Sequence, residues 1–232
     1  MDHQAPAVPL SIIVPVLNEA AGIEATLAAL QAMCARGAEV IVADGGSTDA
    51  TMTLATALAD KVIGAPRGRA SQMNAGAAAA RGEILLFVHA DTVLPADADL
   101  LVVDALRSGK HVWGRFDVDI AGSAPMLATI AFMMNWRSRV TGIATGDQAI
   151  FVRRDAYLAV GGFPAQPLME DIEISHRLKR QSAPLCLKQR VITSGRRWES
   201  RGVWRTIFLM WRLRLRYWFG TGAEVLAKEY QR

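Results

Sequence analysis

The sequence of 232 residues contains little cysteine. Its two cysteines, Cys34 and Cys186, stand in apolar surroundings, and neither has the C-x-x-C spacing or the neighbouring histidine of a metal or redox site. This pattern excludes a disulfide framework and a cysteine-based zinc site. We expect two buried free thiols in a protein of a reducing compartment.

Long hydrophobic runs are missing as well. The longest uncharged stretch, residues 120–135, is too short for a bilayer and is interrupted by Gly122, Ser123 and Pro125. The N-terminal residues M-D-H-Q-A-P-A-V-P lack the basic segment followed by an apolar one that marks a signal peptide. We therefore expect a cytoplasmic protein with no integral membrane segment.

The composition is that of a folded domain, with 51% hydrophobic and 21% charged residues. A chain of this length can bury one sizeable core, which argues against disorder. The formal charge is +4, and the arginine excess lies toward the C-terminal end. We expect a local basic surface there and no nucleic-acid partner.

Apolar, β-branched runs alternate with alanine-rich segments in the first part of the chain. Strands are predicted at residues 10–17, 39–43, 61–64 and 84–88, with helical sequence between them. This order predicts an α/β fold with a parallel, doubly wound sheet and helices on both faces. Pro15 removes a backbone donor from the first run and predicts a bulge or a strained end near Asn18.

The next segments are a strand and a helix. Residues 111–120 alternate apolar and polar side chains, which predicts a half-buried strand. Residues 125–136 are predicted to form a helix, and we favour a core position for its methionine and aromatic side chains over a wall of a ligand pocket.

Polar residues follow each predicted strand of the first part, where parallel strands present their carboxyl ends at one edge. The G-x-G-x-x-G and G-x-x-x-x-G-K-[ST] signatures are absent, which disfavours hydride transfer and P-loop hydrolysis. His89 and Asp91 are two residues apart, so in an extended segment both would face the same cation or diphosphate. The alternative is that Asp91 only caps the next helix.

Several of these segments together resemble family 2 glycosyltransferases of the GT-A fold. They occur in the family's order: S-I-I-V-P-V-L-N-E at 11–19, V-A-D-G-G-S-T-D-A-T at 42–51, F-V-H-A-D-T at 87–92, G-D-Q-A-I-F at 146–151 and M-E-D-I-E at 169–173. With G-R-A-S-Q-M-N at 68–74, the chain is also similar to a small stand-alone bacterial group associated with arsenosugar biosynthesis.

The resemblance implies one GT-A domain, with a Rossmann-like, mostly parallel sheet, over residues 1–194. Its nucleotide-binding half would span about 9–92 and its acceptor half about 110–194, followed by a basic, aromatic amphipathic helix at 195–232. The implied reaction moves a sugar once, with inversion, from a nucleotide sugar, UDP-sugar in our interpretation, to a small or amphipathic acceptor.

The resemblance also implies the donor site. The residues expected to bind the nucleotide sugar are Pro15, Asn18, Glu19, Asp44, Gly46, Arg67, Arg69, Ala90 and Asp91. The metal-binding D-x-D position holds His89-Ala90-Asp91, so the first aspartate is replaced by histidine. We expect Asp91 to bind a divalent ion, Mn²⁺ or Mg²⁺, and His89 either to bind Mn²⁺ or to contact a phosphate; imidazole suits Mg²⁺ less well.

Catalysis is assigned to Asp171, with Glu170 beside it, because a carboxylate at a helix start can act as general base toward an acceptor hydroxyl. The structural alternative is that both are ordinary acidic residues of a first helical turn. The residues expected at the acceptor are Gly146, Asp147, Gln148, Arg196, Arg197 and Trp198.

The C-terminal segment carries an apolar stripe bordered by arginines. The stripe is Trp204, Ile207, Phe208, Trp211, Leu215 and Trp218, and the border is Arg201, Arg205, Arg212 and Arg216. Two alternatives stay open: peripheral contact with anionic lipid at the inner face of the membrane, or packing on the catalytic domain or in a homodimer.

Two other functions remain as alternatives. A sugar nucleotidyltransferase is disfavoured because no glycine-rich basic loop follows the first strand. A non-catalytic sugar-nucleotide-binding or membrane-associated protein is suggested by His89 in the metal motif.

Overall fold

The computed structural model describes residues 8–230. Its strands are β1 (Leu10–Val16), β2 (Glu39–Asp44), β3 (Lys61–Gly64), β4 (Ile84–Phe87), β5 (Thr92–Val93), β6 (Trp113–Ala121), β7 (Ile150–Arg153) and β8 (Leu185–Ser194). Its α-helices are α1 (Ile23–Ala35), α2 (Thr51–Thr56), α3 (Arg69–Ala79), α4 (Ala98–Arg107), α5 (Leu127–Thr141), α6 (Arg154–Ala159), α7 (Glu170–Lys179), α8 (Arg196–Arg201), α9 (Val203–Trp218) and α10 (Ala223–Tyr230). A 3-10 helix covers Gly146–Gln148.

One eight-stranded sheet has the order β3-β2-β1-β4-β7-β6-β8-β5. The pairings among β3, β2, β1 and β4 are parallel, as is that of β6 with β8, whereas β7 and β5 pair antiparallel with their neighbours. The α/β fold with a mostly parallel sheet flanked by helices is therefore confirmed. The purely parallel, doubly wound pattern holds only for the first half.

Two apolar clusters cover opposite faces of β1. Ile12 and Val14 pack in one cluster, while Ile13 packs in the other. Pro15 stays in register with Ala43, so the bulge predicted for this strand does not form. The strand's pairing with β4 reaches only Ile13, which leaves no ladder hydrogen bond for Pro15 to lose on that side. The strained end is present, because Asn18 has φ 54°.

The prediction of a half-buried strand at 111–120 is wrong, because β6 is buried along most of its length. Arg115 is 0% exposed. Its guanidinium donates to the Ser138 hydroxyl at 3.1 Å and to the carbonyl of Asn135 at 3.1 Å, and it pairs with Asp117. Buried charge is tolerated here because partners satisfy the donors.

The C-terminal part also differs from the prediction. Helix α5 continues to Thr141, five residues beyond the predicted end at Trp136, and stops where Gly142 adopts φ 66°. Strand β8 was not predicted at all. In the described part of this segment, up to Tyr230, the single helix expected at 195–232 is three helices, with Gly202 at φ 83° between α8 and α9, and Gly220 at φ 86° before α10.

A buried carboxylate joins three strands at the amino end of the sheet. Glu39 accepts hydrogen bonds from the Ser11 hydroxyl at 2.7 Å and the Arg81 backbone N–H at 2.9 Å, and it pairs with Lys61 at 3.0 Å. Burial alone would raise the pKa of Glu39, but these donors lower it to about 2.

We expect Glu39→Gln to lower the free energy of unfolding at pH 7 by about 2 kcal/mol, the size of hydrogen bonds to a charged group. Because the pKa of Glu39 is lowered, the unfolded state binds the proton more tightly, and stability is lost as pH falls from its ordinary pKa of 4.5 toward 2. Urea unfolding at a series of pH values measures both effects. Glu24→Gln, at an exposed glutamate, is the control; equal acid sensitivity of Glu39→Gln and wild type would contradict the assignment.

Candidate active site

A cleft of about 1500 Å³ runs from the carboxyl end of β1 to the groove between α5 and α9. It brings together residues that lie far apart in the sequence. The predicted site residues that line it are Pro15, Glu19, Arg67, Arg69, His89, Ala90, Asp91, Asp147, Arg196, Arg197 and Trp198. Residues of the donor motifs and of the C-terminal helices therefore line the same cleft.

Asn18, Asp44 and Gly46 do not line this cleft, although all were predicted to bind the nucleotide. The Asp44 carboxylate accepts the backbone N–H groups of Gly46 and Ser47, each at 2.9 Å. The Asn18 side-chain oxygen accepts the backbone N–H of Thr48 at 2.8 Å. In this structure these residues shape the turn after β2 and tie it to the end of β1.

Gln72 is a positioning residue that sequence reasoning missed. Its amide donates to the carbonyls of Val16 at 2.6 Å and Ala43 at 2.9 Å, so it joins the carboxyl ends of β1 and β2. A Cβ at Gly45 would lie 3.0 Å from this amide, which explains the glycine. The signal was present, because Gln72 belongs to the G-R-A-S-Q-M-N segment.

His89 and Asp91 do not share an extended strand as predicted. The chain turns after β4, with the Thr92 N–H donating to the His89 carbonyl at 3.0 Å. His89 Nδ1 lies 3.4 Å from Asp147 Oδ1. Gly146 leaves room for the imidazole, because a Cβ there would lie 2.6 Å from its ring atoms. His89 thus connects the donor loop to the 3-10 helix.

The residues around Asp91 fit a metal that also needs a phosphate ligand. Over residues 8–230, no group of three His, Cys, Asp or Glu side chains is placed to hold an ion. Asp91 is exposed on the cleft wall. Burial raises the pKa of the Glu19 carboxyl group, the charge of Arg196 lowers it, and the charge of Asp91 raises it further. Mg²⁺ is commonly held by one or two carboxylates plus substrate phosphates. The residues around Asp91 therefore fit a divalent ion that binds together with the diphosphate of a sugar nucleotide.

Asp147 faces the cleft with 41% of its side chain exposed. Burial within the site would raise its pKa, but the His89 hydrogen bond and the charges of His89, Arg69 and Arg197 lower it to about 2. Asp147 is therefore ionised at neutral pH. Its contact with His89 holds that imidazole at the cleft wall.

A smaller cavity of about 90 Å³ adjoins the cleft and contains Glu170 and Asp171. The Asp171 carboxylate accepts the backbone N–H of Gly146 at 3.1 Å and that of Ile172 at 2.8 Å. Met169, at φ 66°, directs the chain into α7. Arg69, His89, Asp147 and Arg197 line both cavities, so they separate the donor side from this carboxylate pair.

Burial raises the pKa of Asp171 above its ordinary value of 3.8, and the charge of Asp147 adds to the increase. Burial and the neighbouring Asp171 raise the pKa of Glu170 in the same way. Burial alone would lower the pKa of Arg69, but Glu170 and Asp147 raise it, so this arginine stays charged. A carboxylate with a raised pKa is the stronger base, and a fixed cation is adjacent.

Gln148 is placed differently from the prediction of an acceptor contact. Its side chain is fully buried. Its carbonyl accepts the Thr145 N–H at 3.2 Å, and its amide donates to the Asn135 side chain at 3.2 Å. Gln148 therefore holds the 3-10 helix against α5.

The arginine border of the C-terminal segment is partly used within the chain. Arg212 and Arg216 pair with Glu229, and Arg201 lies 5.5 Å from the ring centroid of Tyr230. Leu213 is buried with Met169 and Leu226. The aromatic stripe does not pack on the catalytic domain, because most of it is exposed. Exposed members are Trp204, Phe208, Trp211, Leu215 and Trp218.

Within residues 8–230, no helix is long and apolar enough to cross a membrane.

Comparison with protein families gives a match over residues 11–159 to the model described as glycosyl transferase family 2. The chain belongs to this family. A relative from Mycobacterium bovis, described as an uncharacterized glycosyltransferase, is 31% identical over 69% of the chain and 77% of its own length. A second M. bovis relative, a PGL/p-HBAD biosynthesis glycosyltransferase, is 36% identical over 44% of the chain and 42% of its own length. The family and the enzyme class predicted from the motifs are confirmed; the arsenosugar-associated subgroup stays a prediction.

Solved structures confirm the GT-A fold. S. aureus TarS 1-349 in complex with UDP-GlcNAc superposes with a TM-score of 0.65 at 18% identity, covering 80% of this chain and 58% of TarS. The mannosyltransferase PcManGT from Pyrobaculum calidifontis, with GDP-Man and Mn²⁺, has a TM-score of 0.62 at 22% identity, covering 88% of this family 2 chain and 60% of its own. The Mycobacterium tuberculosis glucosyl-3-phosphoglycerate synthase has a TM-score of 0.58 at 19% identity, covering 78% of this chain and 70% of its own.

Proposed function

We propose that this glycosyltransferase moves a sugar, with inversion and with the aid of a divalent metal, from a UDP-sugar to a hydroxyl of a small or amphipathic acceptor. The observation that carries the proposal is the placement of Asp171. Its carboxylate is half-buried, has a raised pKa, and lies in a cavity that opens beside the cleft lined by Asp91 and the arginines.

The donor half of the cleft, formed from about residues 9–92, suits a sugar diphosphate. Arg67 and Arg69 line it and supply positive charge for phosphate oxygens, and Arg196 of α8 reaches it from the C-terminal side, 4.0 Å from Glu19. Asp91 would hold Mn²⁺ or Mg²⁺ together with the diphosphate, and the ion would neutralise charge on the leaving group. His89 lies 3.4 Å from Asp147 on the cleft wall, where it would contact either the metal or a phosphate.

The acceptor half, about residues 110–194, contributes the base. Asp171 takes the proton of the acceptor hydroxyl while that oxygen bonds to the anomeric carbon, and the carbon's bond to the diphosphate oxygen breaks with its electrons left on the nucleotide. Gly146 and Ile172 hold the Asp171 carboxylate through their N–H groups. Attack from the face opposite the diphosphate inverts the configuration.

Three solved neighbours support the donor and metal assignment by what they contain. TarS is bound to UDP-GlcNAc, PcManGT to GDP-Man and Mn²⁺, and the phosphoglycerate synthase to Mn²⁺ and UDP. Sequence identity with each of them is below 25%. The nucleotide and the sugar used by this chain are therefore part of the proposal.

A donor screen tests the proposal directly. We expect UDP or a UDP-sugar to raise the melting temperature in the presence of Mn²⁺ and less without it, as ligand linkage requires. Slow Mn²⁺-dependent hydrolysis of the same UDP-sugar should follow. No stabilisation by any sugar nucleotide would contradict the function, whereas binding without turnover, unchanged by Asp171→Asn, would favour a non-catalytic binding protein.

A further inference from the structure

Arg137 in α5 has an unusual environment. Its Nε and Nη2 atoms are buried, and within residues 8–230 they are the buried side-chain polar atoms that have no hydrogen-bond partner. Arg115, also buried, bonds to Ser138, Asn135 and Asp117. The two arginines show that this fold satisfies one buried guanidinium fully and leaves the other open.

An open guanidinium is costly, because buried charges in native proteins are normally paired. Burial and the charge of Arg115 lower the pKa of Arg137, while Asp171 raises it. Neither of these two buried nitrogens of Arg137 bonds to Asp171, whose carboxylate accepts the backbone N–H groups of Gly146 and Ile172. Arg137 lines the cleft, so an anion entering the cleft can supply the missing acceptors.

The cleft beside Arg137 is apolar. Helical spacing places Ile130, Met133, Met134 and Arg137 on one face of α5, and all four line the cleft. The lining along this helix therefore changes from apolar to cationic toward the C-terminal end of the helix.

The facing wall belongs to α9. Ile207, Phe208 and Trp211 line it, with Phe208 68% and Trp211 70% exposed. Large exposed aromatics beside a groove are typical of a binding surface for an apolar partner. A soluble polar acceptor would leave them without a role, whereas a molecule with an apolar part would cover them.

We propose that the acceptor is an amphipathic anion: Arg137 binds its phosphate or carboxylate group, and the groove between α5 and α9 binds its apolar part. The planar guanidinium pairs with either group through two parallel hydrogen bonds. Such a contact would orient the acceptor within the cleft that adjoins the cavity of Asp171. This inference rests on the proposed glycosyltransferase function and names the class of acceptor.

Binding of simple probes tests this assignment. With UDP and Mn²⁺ present to fill the donor side, the purified chain is titrated with decyl phosphate below its critical micelle concentration, with decanol, and with glycerol 3-phosphate. Tryptophan fluorescence reports binding, since Trp136 and Trp211 line the groove, and calorimetry gives the dissociation constants. We expect decyl phosphate to bind at least about tenfold more tightly than either other probe.

Arg137→Met should weaken the binding of decyl phosphate by about tenfold and leave the binding of decanol unchanged. Arg137→Lys should restore part of the lost affinity. Arg107→Met, at an exposed arginine of α4 outside the cleft, controls for net charge. Equal binding of decyl phosphate and decanol to the wild type would overturn the anion site, even if the variants fail to fold. Equal binding of decyl phosphate and glycerol 3-phosphate would overturn the claim that the groove between α5 and α9 binds an apolar part of the acceptor.

Two other occupants of the groove would also overturn the proposal. If decyl phosphate does not bind while the chain floats with phosphatidylglycerol vesicles, the groove faces a membrane. If it does not bind while sedimentation shows a concentration-dependent dimer, a second copy covers the groove. UDP binding measured in the same samples separates failure of this inference, with UDP still bound, from failure of the donor assignment.

Discussion

Asp171→Asn should lower the rate of sugar transfer by about a thousandfold, because a positioned general base typically contributes between a hundredfold and ten-thousandfold. Asparagine has nearly the same shape, but its single side-chain oxygen can accept only one of the two backbone N–H groups, from Gly146 and Ile172, that the carboxylate accepts. Donor affinity should not change. Steady-state rates of UDP-sugar consumption and calorimetry with UDP provide the two numbers.

The pH dependence follows from the direction of the pKa shift. Burial raises the pKa of Asp171, so the base becomes protonated on acidification at a higher pH than an ordinary aspartate would. The rate should fall as pH decreases through that raised value, and the acid limb should be missing from any residual activity of Asp171→Asn. An unchanged acid limb in the variant would contradict the role of Asp171.

The same substitution should stabilise the fold. A carboxylate whose pKa is raised in the folded state binds its proton more tightly there than in the unfolded state, so its charge at neutral pH destabilises the fold. The free energy of unfolding of Asp171→Asn relative to wild type should therefore rise by about 1 kcal/mol from acidic to neutral pH, as when function is exchanged for stability. Asp147→Asn is the matched control with the opposite sign, because the pKa of Asp147 is lowered to about 2.

Asp91→Asn should lower the Mn²⁺-dependent activity by about a hundredfold or more, because it removes the carboxylate that would hold the ion against the diphosphate. Affinity for UDP in the presence of Mn²⁺ should fall, whereas affinity for UDP without metal should stay close to that of wild type. Isothermal titration with and without Mn²⁺ separates the two contributions.

Asp97→Asn serves as the control for this substitution, since Asp97 is exposed near the same segment and does not line the cleft. It should leave both affinities unchanged. If Asp91→Asn retains the full Mn²⁺ enhancement of UDP binding, Asp91 is not the metal ligand. His89→Ala would then be compared, because His89 occupies the other position of the motif.

Much of the first half could be predicted because its signals are local. Apolar runs such as residues 84–88 are recognisable as strands buried on both faces, and the polar residues after them must meet at one edge once the strands are parallel. The motif order alone was sufficient for the family and its fold.

Other features depend on contacts between distant segments. Arg115 is polar in an alternating pattern, yet it is buried where Ser138 of α5 accepts one of its hydrogen bonds. Gln148 belongs to a recognised motif, yet its side chain bonds to Asn135 of α5. Neither partner is evident from the residue's own neighbours in the sequence.

The sequence by itself determined the α/β class, the family and the acidic and basic residues that the cleft contains, because each follows from residue types at short spacings. Only the tertiary structure decided how they are used. It places His89 beside Asp147, pairs Arg212 and Arg216 with Glu229, and leaves two buried nitrogens of Arg137 without a hydrogen-bond partner in the described part of the chain. The physical reason is that hydrogen-bond satisfaction and burial are properties of the packed chain, and helical spacing cannot tell which arginine finds a partner.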